Sequence, residues 1–270
     1  MKVQNKVIVV TGGGSGMGRE LVLHLLSKNA KVVTVDINES ALQETVSLAA
    51  SKKDSLKTFV VDITNKTAVE QLLKNAVDAF GFVDGIINNA GIIQPFIKVS
   101  ELNYETIERV MNINFYGTLY ITKTFLPHLL TRPEAHIVNI SSMGGFLPVP
   151  GQTIYGASKA AVKLFTEGLH SELANTNVKV TVVFPGAVNT NITKNSGLNM
   201  PTQPKTETKS MKTLSAAKAA EIIIHGMEND RYGVLVGKDA SFMDFIYRLN
   251  PKRAASFINK KMEGLLSGNK

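Results

Sequence analysis

The stretch KVIVVTGGGSGMG, residues 6–18, runs from an apolar segment through a cluster of glycines into a helical pattern. Residues 6–11 are rich in β-branched side chains and do not alternate with polar ones, which is typical of a strand covered on both faces. The following segment, as far as Lys28, repeats apolar residues at helical spacing. Its apolar side carries Leu21, Leu25 and Leu26. The stretch therefore predicts a strand, a tight glycine turn and a helix.

Strand and helix patterns of this kind alternate along the rest of the chain. Further strands are predicted at residues 31–36, 55–61, 83–88, 135–141, 178–184 and 233–237. Further helices are predicted at residues 39–50, 66–80, 104–130, 155–174 and 215–228. This alternation predicts an α/β fold: a single-domain, doubly wound (Rossmann) parallel sheet of about seven strands with helices on both faces. Its crossover connections should be right-handed.

The glycine turn itself indicates a phosphate site. Gly12, Gly16 and Gly18 lie between a strand and a helix, although their spacing is not the strict G-x-G-x-x-G pattern. Glycines let the backbone approach a ligand, and the free N–H groups of the helix start favour a pyrophosphate. The alternative is a glycine turn that binds no ligand.

Asp36 ends the second predicted strand, where an acidic side chain accepts hydrogen bonds from the ribose hydroxyls of a bound dinucleotide. A carboxylate there repels a 2′-phosphate, and Ile37 supplies no cation, so we expect NAD rather than NADP. Aspartate is also a common helix N-cap, but Asn38 could take that position instead.

The segment YGASK, residues 155–159, places a tyrosine and a lysine four residues apart. On a helix this spacing puts Tyr155 and Lys159 on one face. Spacing alone leaves two readings open, an ordinary surface pair and a chemical one.

Taken together, these motifs resemble the short-chain dehydrogenase/reductase family. The resemblance covers about residues 6–190, and the motifs come in the family's order. They are TGGGSGMG (11–18), VDI (61–63), NNAG (88–91), NIN (112–114), NISS (139–142), YGASK (155–159) and PGAVNT (185–190). Each fragment is a modest signal, whereas their joint order and spacing are specific.

The resemblance implies a role for each matching position. The implied catalytic residues are Asn114, Ser142, Tyr155 and Lys159, with Ser141 as the rival of Ser142 and Asn88 as a structural residue. The implied cofactor-binding residues are Gly12, Ser15, Gly16, Met17, Gly18, Asp36, Asp62, Ile63, Asn89, Ala90, Gly91, Tyr155, Lys159, Pro185, Gly186, Val188 and Thr190. The expected reaction is hydride transfer between NAD and a secondary alcohol or ketone.

That reaction gives the YGASK pair a chemical purpose. The substrate hydroxyl needs a base, and in reverse the carbonyl oxygen needs an acid. Tyrosine has a free pKa near 10, so we expect the ammonium group of Lys159 to lower the pKa of Tyr155. Ser142 should donate a hydrogen bond to the substrate oxygen, while the cofactor carries the redox chemistry.

The substrate is predicted from the surrounding loops, residues 92–98, 142–152 and 189–213. The apolar side chains of Phe96, Phe146, Leu147, Pro148 and Val149 favour a hydrophobic, steroid- or lipid-like substrate. A 3-oxoacyl thioester or a small hydroxy-ketone is an alternative. Two further readings are a sugar epimerase or dehydratase and a non-catalytic, dinucleotide-binding regulatory protein.

Composition excludes several other classes. Cysteine is absent, and the five histidines show no metal-site spacing, so neither a thiolate nucleophile nor a metal centre is expected. No segment has the pattern of a secretory signal or a membrane span, and the predicted location is the cytoplasm. The net charge of +8 comes with no nucleic-acid recognition motif.

The chain is predicted to divide into a Rossmann-type domain (1–240) and an amphipathic C-terminal extension (241–270). From residue 194 onward, 13 Lys and Arg face 7 Asp and Glu, so most of the excess positive charge lies there. The extension could pack on the protein's own core or on a partner subunit, cover the substrate cleft, or contact a membrane as a peripheral element. The family resemblance also implies a homodimer or homotetramer, formed through the helices near 104–130 and 155–174.

Overall fold

A computed structural model describes residues 1–198 and 213–267 of the chain, with side chains described as far as residue 262. Residues 199–212 of the predicted substrate loop therefore lie outside the described residues, as do residues 268–270 of the predicted extension.

Within the described ranges, the strands form one large parallel sheet and one small pair. They are β1 (Val7–Thr11), β2 (Lys31–Asp36), β3 (Leu56–Val60), β4 (Gly85–Asn88), β5 (Ala135–Ile140), β6 (Val178–Pro185), β7 (Val188–Asn189), β8 (Leu214–Ser215) and β9 (Gly233–Val236). The large sheet has seven strands in the order β3-β2-β1-β4-β5-β6-β9, while β7 pairs with β8. All of these pairings are parallel. The predicted doubly wound fold is confirmed.

Helices connect the strands and cover both faces of the sheet. They are α1 (Gly16–Ser27), α2 (Glu39–Ala49), α3 (Lys66–Phe80), α4 (Tyr104–Met111), α5 (Thr118–Leu130), α6 (Thr153–Glu172), α7 (Ile192–Asn195), α8 (Ala216–Glu228), α9 (Lys238–Leu249) and α10 (Pro251–Ser267). Asn38 caps α2 by accepting a hydrogen bond from the N–H of Ala41 at 3.0 Å. This leaves the carboxylate of Asp36 available for other partners.

Alternate residues of each strand enter opposite halves of the core. In β1, Ile8 and Val10 pack against α1 and α8, whereas Val7 and Val9 face the side covered by α3 and α5. Side chains of successive strand residues point to opposite faces of a sheet, so a strand buried on both faces must be apolar throughout. The continuous apolar run at the start of the chain is explained by this arrangement.

The segment predicted as one helix over 104–130 is interrupted. A π-helical turn, residues 112–117, joins α4 to α5. The hydroxyl of Thr118 donates to the carbonyl oxygen of Asn114 at 2.9 Å, which satisfies a backbone group within the widened turn. Because single π-helical turns occur often at functional sites, the position of Asn114 within this one is relevant to the site.

The last two helices form a hairpin at the edge of the fold, which we call the C-terminal hairpin (α9 and α10, described side chains 238–262). Its inner residues Met243, Ala254 and Ile258 are buried with Leu147 in a small separate core. The predicted extension from residue 241 thus begins inside α9 and packs on the loop after β5. Across residues 1–198 and 213–267, no helix is long and apolar enough to cross a bilayer.

Candidate active site

A cavity of about 780 Å³ opens at the carboxyl edge of the sheet. The strand order reverses beside β1 and β4, and ligands of doubly wound sheets bind at such a switch point. Every residue assigned above to the cofactor lines this cavity, as does Ser142. The structure therefore brings together side chains that the sequence spreads over residues 12–190.

The glycine turn forms one wall of the cavity. Gly12 has a φ of 71°, and a Cβ added to it would lie 2.9 Å from the Cα of Ala90. Next to it, the hydroxyl of Thr11 accepts hydrogen bonds from the N–H groups of Asn89 and Ala90, both at 3.0 Å. A larger residue than glycine would separate β1 from the segment that follows β4. Packing against Ala90 thus explains the glycine at position 12. The same turn lines the cavity, where the free N–H groups at the start of α1 could bind a pyrophosphate.

Asp36 is held at the end of β2 by backbone donors. Its two carboxylate oxygens accept from the N–H groups of Gly14 at 3.0 Å and Asn38 at 3.1 Å. Arg19 lies beside the same turn, but its guanidinium donates two hydrogen bonds of 2.7 Å to Glu44. The turn thus presents a carboxylate acceptor, and its arginine is already paired. These groups fit the adenosine ribose of a dinucleotide.

Tyr155 and Lys159 both lie on α6 and line the cavity. The Lys159 ammonium is buried and donates a hydrogen bond of 3.0 Å to the carbonyl oxygen of Ile140. Burial lowers the pKa of Lys159 to about 8. Burial also raises the pKa of Tyr155 above its ordinary value. A hydrogen bond with Ser142 lowers this pKa but does not offset the effect of burial.

The expected lowering of the Tyr155 pKa by Lys159 is wrong for the protein without a cofactor. Removal from water disfavours the charged form of each residue, the phenolate of Tyr155 and the ammonium of Lys159. In this pocket, burial is the largest cause of the pKa shift of each residue. Helical spacing indicated that the two side chains share a face, but it carried no information on how completely that face is buried.

The two adjacent serines have different environments. The hydroxyl of Ser141 is buried and donates to the carbonyl oxygen of Lys159 at 2.7 Å. The Ser142 hydroxyl accepts from the N–H of Gly144 at 3.0 Å and lines the cavity beside Tyr155, with which it shares a hydrogen bond. Of the two serines, Ser142 is therefore the one that could donate a hydrogen bond to a substrate oxygen.

Asn114 lies beneath the cavity, fully buried. Its amide nitrogen donates to the carbonyl oxygen of Ile92 and to the hydroxyl of Ser158, both at 2.9 Å, and its oxygen accepts from the N–H of Ile92 at 2.8 Å. A Cβ on Gly91 would lie 3.1 Å from both the Asn114 oxygen and the Lys159 nitrogen. Gly91 is therefore the point at which these two predicted catalytic side chains meet.

Gln94 is a site residue that the sequence reasoning missed. It is fully buried, and its side-chain oxygen accepts from the N–H groups of Ile154 and Tyr155 at 2.8 and 2.9 Å. Its amide nitrogen donates to the carbonyl oxygen of Gly151 at 2.9 Å. Gln94 thus satisfies the exposed N–H groups at the start of α6 and holds Tyr155 in place. No local sequence pattern connects residue 94 with residue 155.

Two further polar residues were missed at the start of the predicted substrate loop. The Asn195 amide donates to the hydroxyl of Ser15 at 2.7 Å, and the Ser196 hydroxyl accepts from the N–H of Ile93 at 3.0 Å. These contacts hold Asn195 beside the glycine turn, where it lines the cavity, and Ser196 beside Ile93.

The predicted substrate-binding phenylalanines are located differently. Neither Phe96 nor Phe146 belongs to the described lining of the cavity. Phe146 packs against Phe184 and Tyr247, with ring centroids 5.7 and 5.8 Å apart, and Leu147 is fully buried against the C-terminal hairpin. Their role in substrate binding stays a prediction.

Comparison with known proteins agrees with this geometry. The family model described as short chain dehydrogenase matches residues 6–201. SadH of Mycobacterium tuberculosis, a protein named as an oxidoreductase, is 36% identical over 252 residues, which cover 91% of each chain. A short-chain dehydrogenase/reductase from Burkholderia phymatum, crystallised with NAD, is 28% identical with a TM-score of 0.83 and covers 93% of this chain and 96% of its own. A short chain dehydrogenase from Burkholderia cenocepacia, crystallised with NADP, superposes with a TM-score of 0.79 at 24% identity, over 96% of this chain and 99% of its own.

Proposed function

Since the chain belongs to the short-chain dehydrogenase/reductase family, we propose that it transfers a hydride between NAD and a secondary alcohol or ketone. Family membership makes it an NAD(P)-dependent oxidoreductase. The observation that carries the finer proposal is the meeting of Ser142, Tyr155 and Lys159 in one cavity with the glycine turn and Asp36. This set also counts against a purely regulatory dinucleotide-binding protein.

The preference for NAD over NADP rests on the groups beside Asp36. Its carboxylate would accept from the ribose hydroxyls and would repel a 2′-phosphate. Arg19 cannot neutralise that phosphate without giving up Glu44, with which it shares two hydrogen bonds. Asp36→Ala should therefore raise kcat/KM with NADPH relative to NADH. An unchanged ratio would contradict the proposed basis for cofactor choice.

In the proposed mechanism, Tyr155 moves the proton at the substrate oxygen. During reduction its hydroxyl donates a proton to the carbonyl oxygen, and during oxidation its phenolate accepts one. Ser142 donates a hydrogen bond to the same oxygen, which stabilises the negative charge that develops there. When bound, the dinucleotide supplies or accepts the hydride.

Lys159 and Asn114 support that proton transfer. Lys159 has three N–H groups, and Ile140 accepts from one of them. The others can bind the ribose hydroxyls of the nicotinamide half and favour the phenolate of Tyr155. Asn114, the resemblance implies, holds a water molecule that carries the proton onward from this lysine.

The proposed substrate is hydrophobic, because isoleucines contribute to the cavity lining. Ile92, Ile93 and Ile192 all belong to it. A ring-shaped or lipid-like ketone would bury apolar surface against them. The phenylalanines of the loops contribute no support, because they lie elsewhere in the described structure.

The test is consumption of NADH with a panel of carbonyl compounds. We expect kcat/KM to be highest for a hydrophobic ring ketone and lower for a 3-oxoacyl thioester and a small hydroxy-ketone. If the thioester were preferred, the substrate class would be wrong while the reaction class stood. If NADH bound, seen as a fluorescence change, without turnover of any compound, the catalytic proposal would be overturned.

A homo-oligomer is also part of the proposal. Exposed apolar side chains include Tyr104 on α4, Tyr116 on the π-helical turn that follows it, and Leu164 on α6. Large apolar side chains grouped on neighbouring helices are typical of subunit interfaces. Leu164→Glu should lower the mass seen by sedimentation, and an unchanged mass would exclude this face as the interface.

A further inference from the structure

The C-terminal hairpin has a second face that the protein's own core does not use. On α9, the exposed apolar residues are Phe242, Phe245 and Leu249, with 54%, 62% and 70% of their surface accessible. They recur at helical spacing on the side opposite the buried Ala240 and Met243. Packing on Leu147 explains the apolar residues on the inner side of this helix, whereas those on the outer side stay more than half exposed.

The second helix extends the same face. The ring of Phe257 on α10 lies 6.2 Å from that of Phe242 in an edge-to-face arrangement, so the two helices share one aromatic surface. The ammonium of Lys261 lies 4.8 Å from the centre of the Phe257 ring. Arg253 and Lys260 are four residues before and three after Phe257, which puts them on the same side of the helix.

Within residues 238–262 of the hairpin, every exposed charged side chain is positive: Lys238, Arg248, Lys252, Arg253, Lys260 and Lys261. The two carboxylates in this range have other partners. Asp239 accepts from the N–H of Ala187 at 2.6 Å, and Asp244 pairs with Arg248 at 2.8 Å. The outer face is therefore aromatic and cationic.

We propose that the outer face of the C-terminal hairpin binds the surface of an anionic lipid bilayer. Aromatic and leucine side chains enter the headgroup region, and Lys and Arg beside them attract anionic lipids. A second copy of the chain fits this face less well. A twofold contact would bring the exposed cations described on this face against one another. This binding would not depend on the proposed reaction, because it involves only the exposed residues of the hairpin.

The position of this face links it to the candidate active site. Asp239, the second residue of α9, holds the N–H of Ala187 next to Gly186, which lines the cavity. In a protein docked through this hairpin, α9 would therefore lie between the bilayer and this part of the cavity wall. Truncation at Pro251 is a poor test, because it would also remove Ala254 and Ile258 from the small core around Leu147.

The experiment is co-sedimentation of the full chain with vesicles. One set contains phosphatidylcholine alone, and the other contains equimolar phosphatidylcholine and phosphatidylglycerol. We expect binding to the anionic vesicles, weakening as salt is raised, and little binding to the neutral ones. Absence of binding to the anionic vesicles at low salt would overturn the proposal.

Point variants then assign the binding to this face. Phe242→Gln with Phe245→Gln should weaken binding, and Arg253→Glu with Lys261→Glu should weaken it by about tenfold or more. The matched controls, Leu48→Gln and Lys53→Glu with Lys74→Glu, change exposed residues elsewhere and should bind as the unaltered protein does. Equal loss in the controls would show that overall charge or apolarity, and not this face, is responsible.

Two more readouts separate the proposal from its competitors. If the phenylalanine variant lowered the mass in sedimentation and left vesicle binding unchanged, the face would be a subunit interface, and the proposal would be wrong. Turnover of a water-soluble ketone should be unaffected by these variants. A protein without any turnover that still bound anionic vesicles would refute the proposed reaction and leave the docking surface intact.

Discussion

Buried polar groups lie at both edges of the central sheet, but they are used differently. At the amino edge, Asp84 accepts from the N–H of Val7 at 2.9 Å and from Arg132 at 3.1 Å, and His136 shares a hydrogen bond of 2.9 Å with Thr181. At the carboxyl edge, Ser142 and Lys159 keep donors that face a cavity. Burial of a polar side chain therefore does not by itself indicate function. The proposed site depends instead on hydrogen-bonding groups that face a cavity.

The largest effect is expected at the amino edge and concerns stability alone. Asp84→Ala leaves the N–H of Val7 and the guanidinium of Arg132 without their partner. Loss of one member of a buried ion pair costs about 3–5 kcal/mol, so the free energy of unfolding in denaturant should fall by that amount. Turnover per folded molecule should stay unchanged. Asp84→Asn keeps an oxygen that can accept from the N–H of Val7. Its free energy of unfolding should therefore lie between those of the unaltered protein and of Asp84→Ala. A fall in turnover at full stability would contradict the comparison.

At the carboxyl edge, the matching change should affect turnover alone. Ser142→Ala removes a donor to the substrate oxygen and should lower kcat by about 10²–10³-fold, with little change in unfolding. Its neighbour provides the control. Ser141→Ala removes a buried hydroxyl that donates to the carbonyl oxygen of Lys159. The free energy of unfolding should therefore fall by about 1 kcal/mol, and the variant should retain most of the turnover. If the two variants exchanged these results, Ser141 would be the catalytic serine.

Gln94 should show intermediate behaviour, because we propose that it positions Tyr155 at the carboxyl edge. Gln94→Leu leaves the N–H groups of Ile154 and Tyr155 without an acceptor, at a cost of about 1–3 kcal/mol each. We expect a lower kcat with little change in the KM for NADH. Gln94→Glu restores an acceptor at a helix start and should recover most of the lost kcat. Absence of rescue would show that the role of Gln94 is packing only.

The smallest effect is expected from pH, and again at the amino edge. Burial lowers the pKa of His136 from 6.5 to about 3, with the chain's terminal ammonium as a further cause. Below pH 6.5 the unfolded chain binds a proton at His136 and the folded protein does not, so stability falls as the pH drops toward 3. One pH unit below 6.5 the loss should be about 1.4 kcal/mol. His136→Gln should remove this part of the pH dependence, and an identical profile in both proteins would refute it.

Local patterns in the sequence were sufficient for the fold, and they predicted most of the residues that line the cavity. The apolar run of β1, the glycine turn and the helix start are adjacent in the chain, and their order predicts the phosphate site directly. Asp36 could be assigned because it ends a strand whose position follows from the fold. The resemblance to a known family then supplied Ser142 and Asn114, which lie on other elements.

Features that depend on packing between distant segments could not be predicted. Gln94 contacts Ile154 and Tyr155 at the start of α6, which follow it in the sequence by 60 and 61 positions. The rise in the Tyr155 pKa comes from burial, which the spacing of YGASK does not encode. The burial of Leu147 in the small core was likewise not predicted. Its partner there is the C-terminal hairpin, which lies about a hundred residues later in the sequence.

The most direct test of the account is Tyr155→Phe, followed by turnover, NADH binding and unfolding in the same preparation. Phenylalanine keeps the ring and removes only the hydroxyl that transfers the proton. We predict that kcat falls by about 10²–10⁴-fold, while NADH affinity and the free energy of unfolding stay close to those of the unaltered protein. A variant that turns over at a near-normal rate would contradict the assignment of the carboxyl edge as a site built around Tyr155.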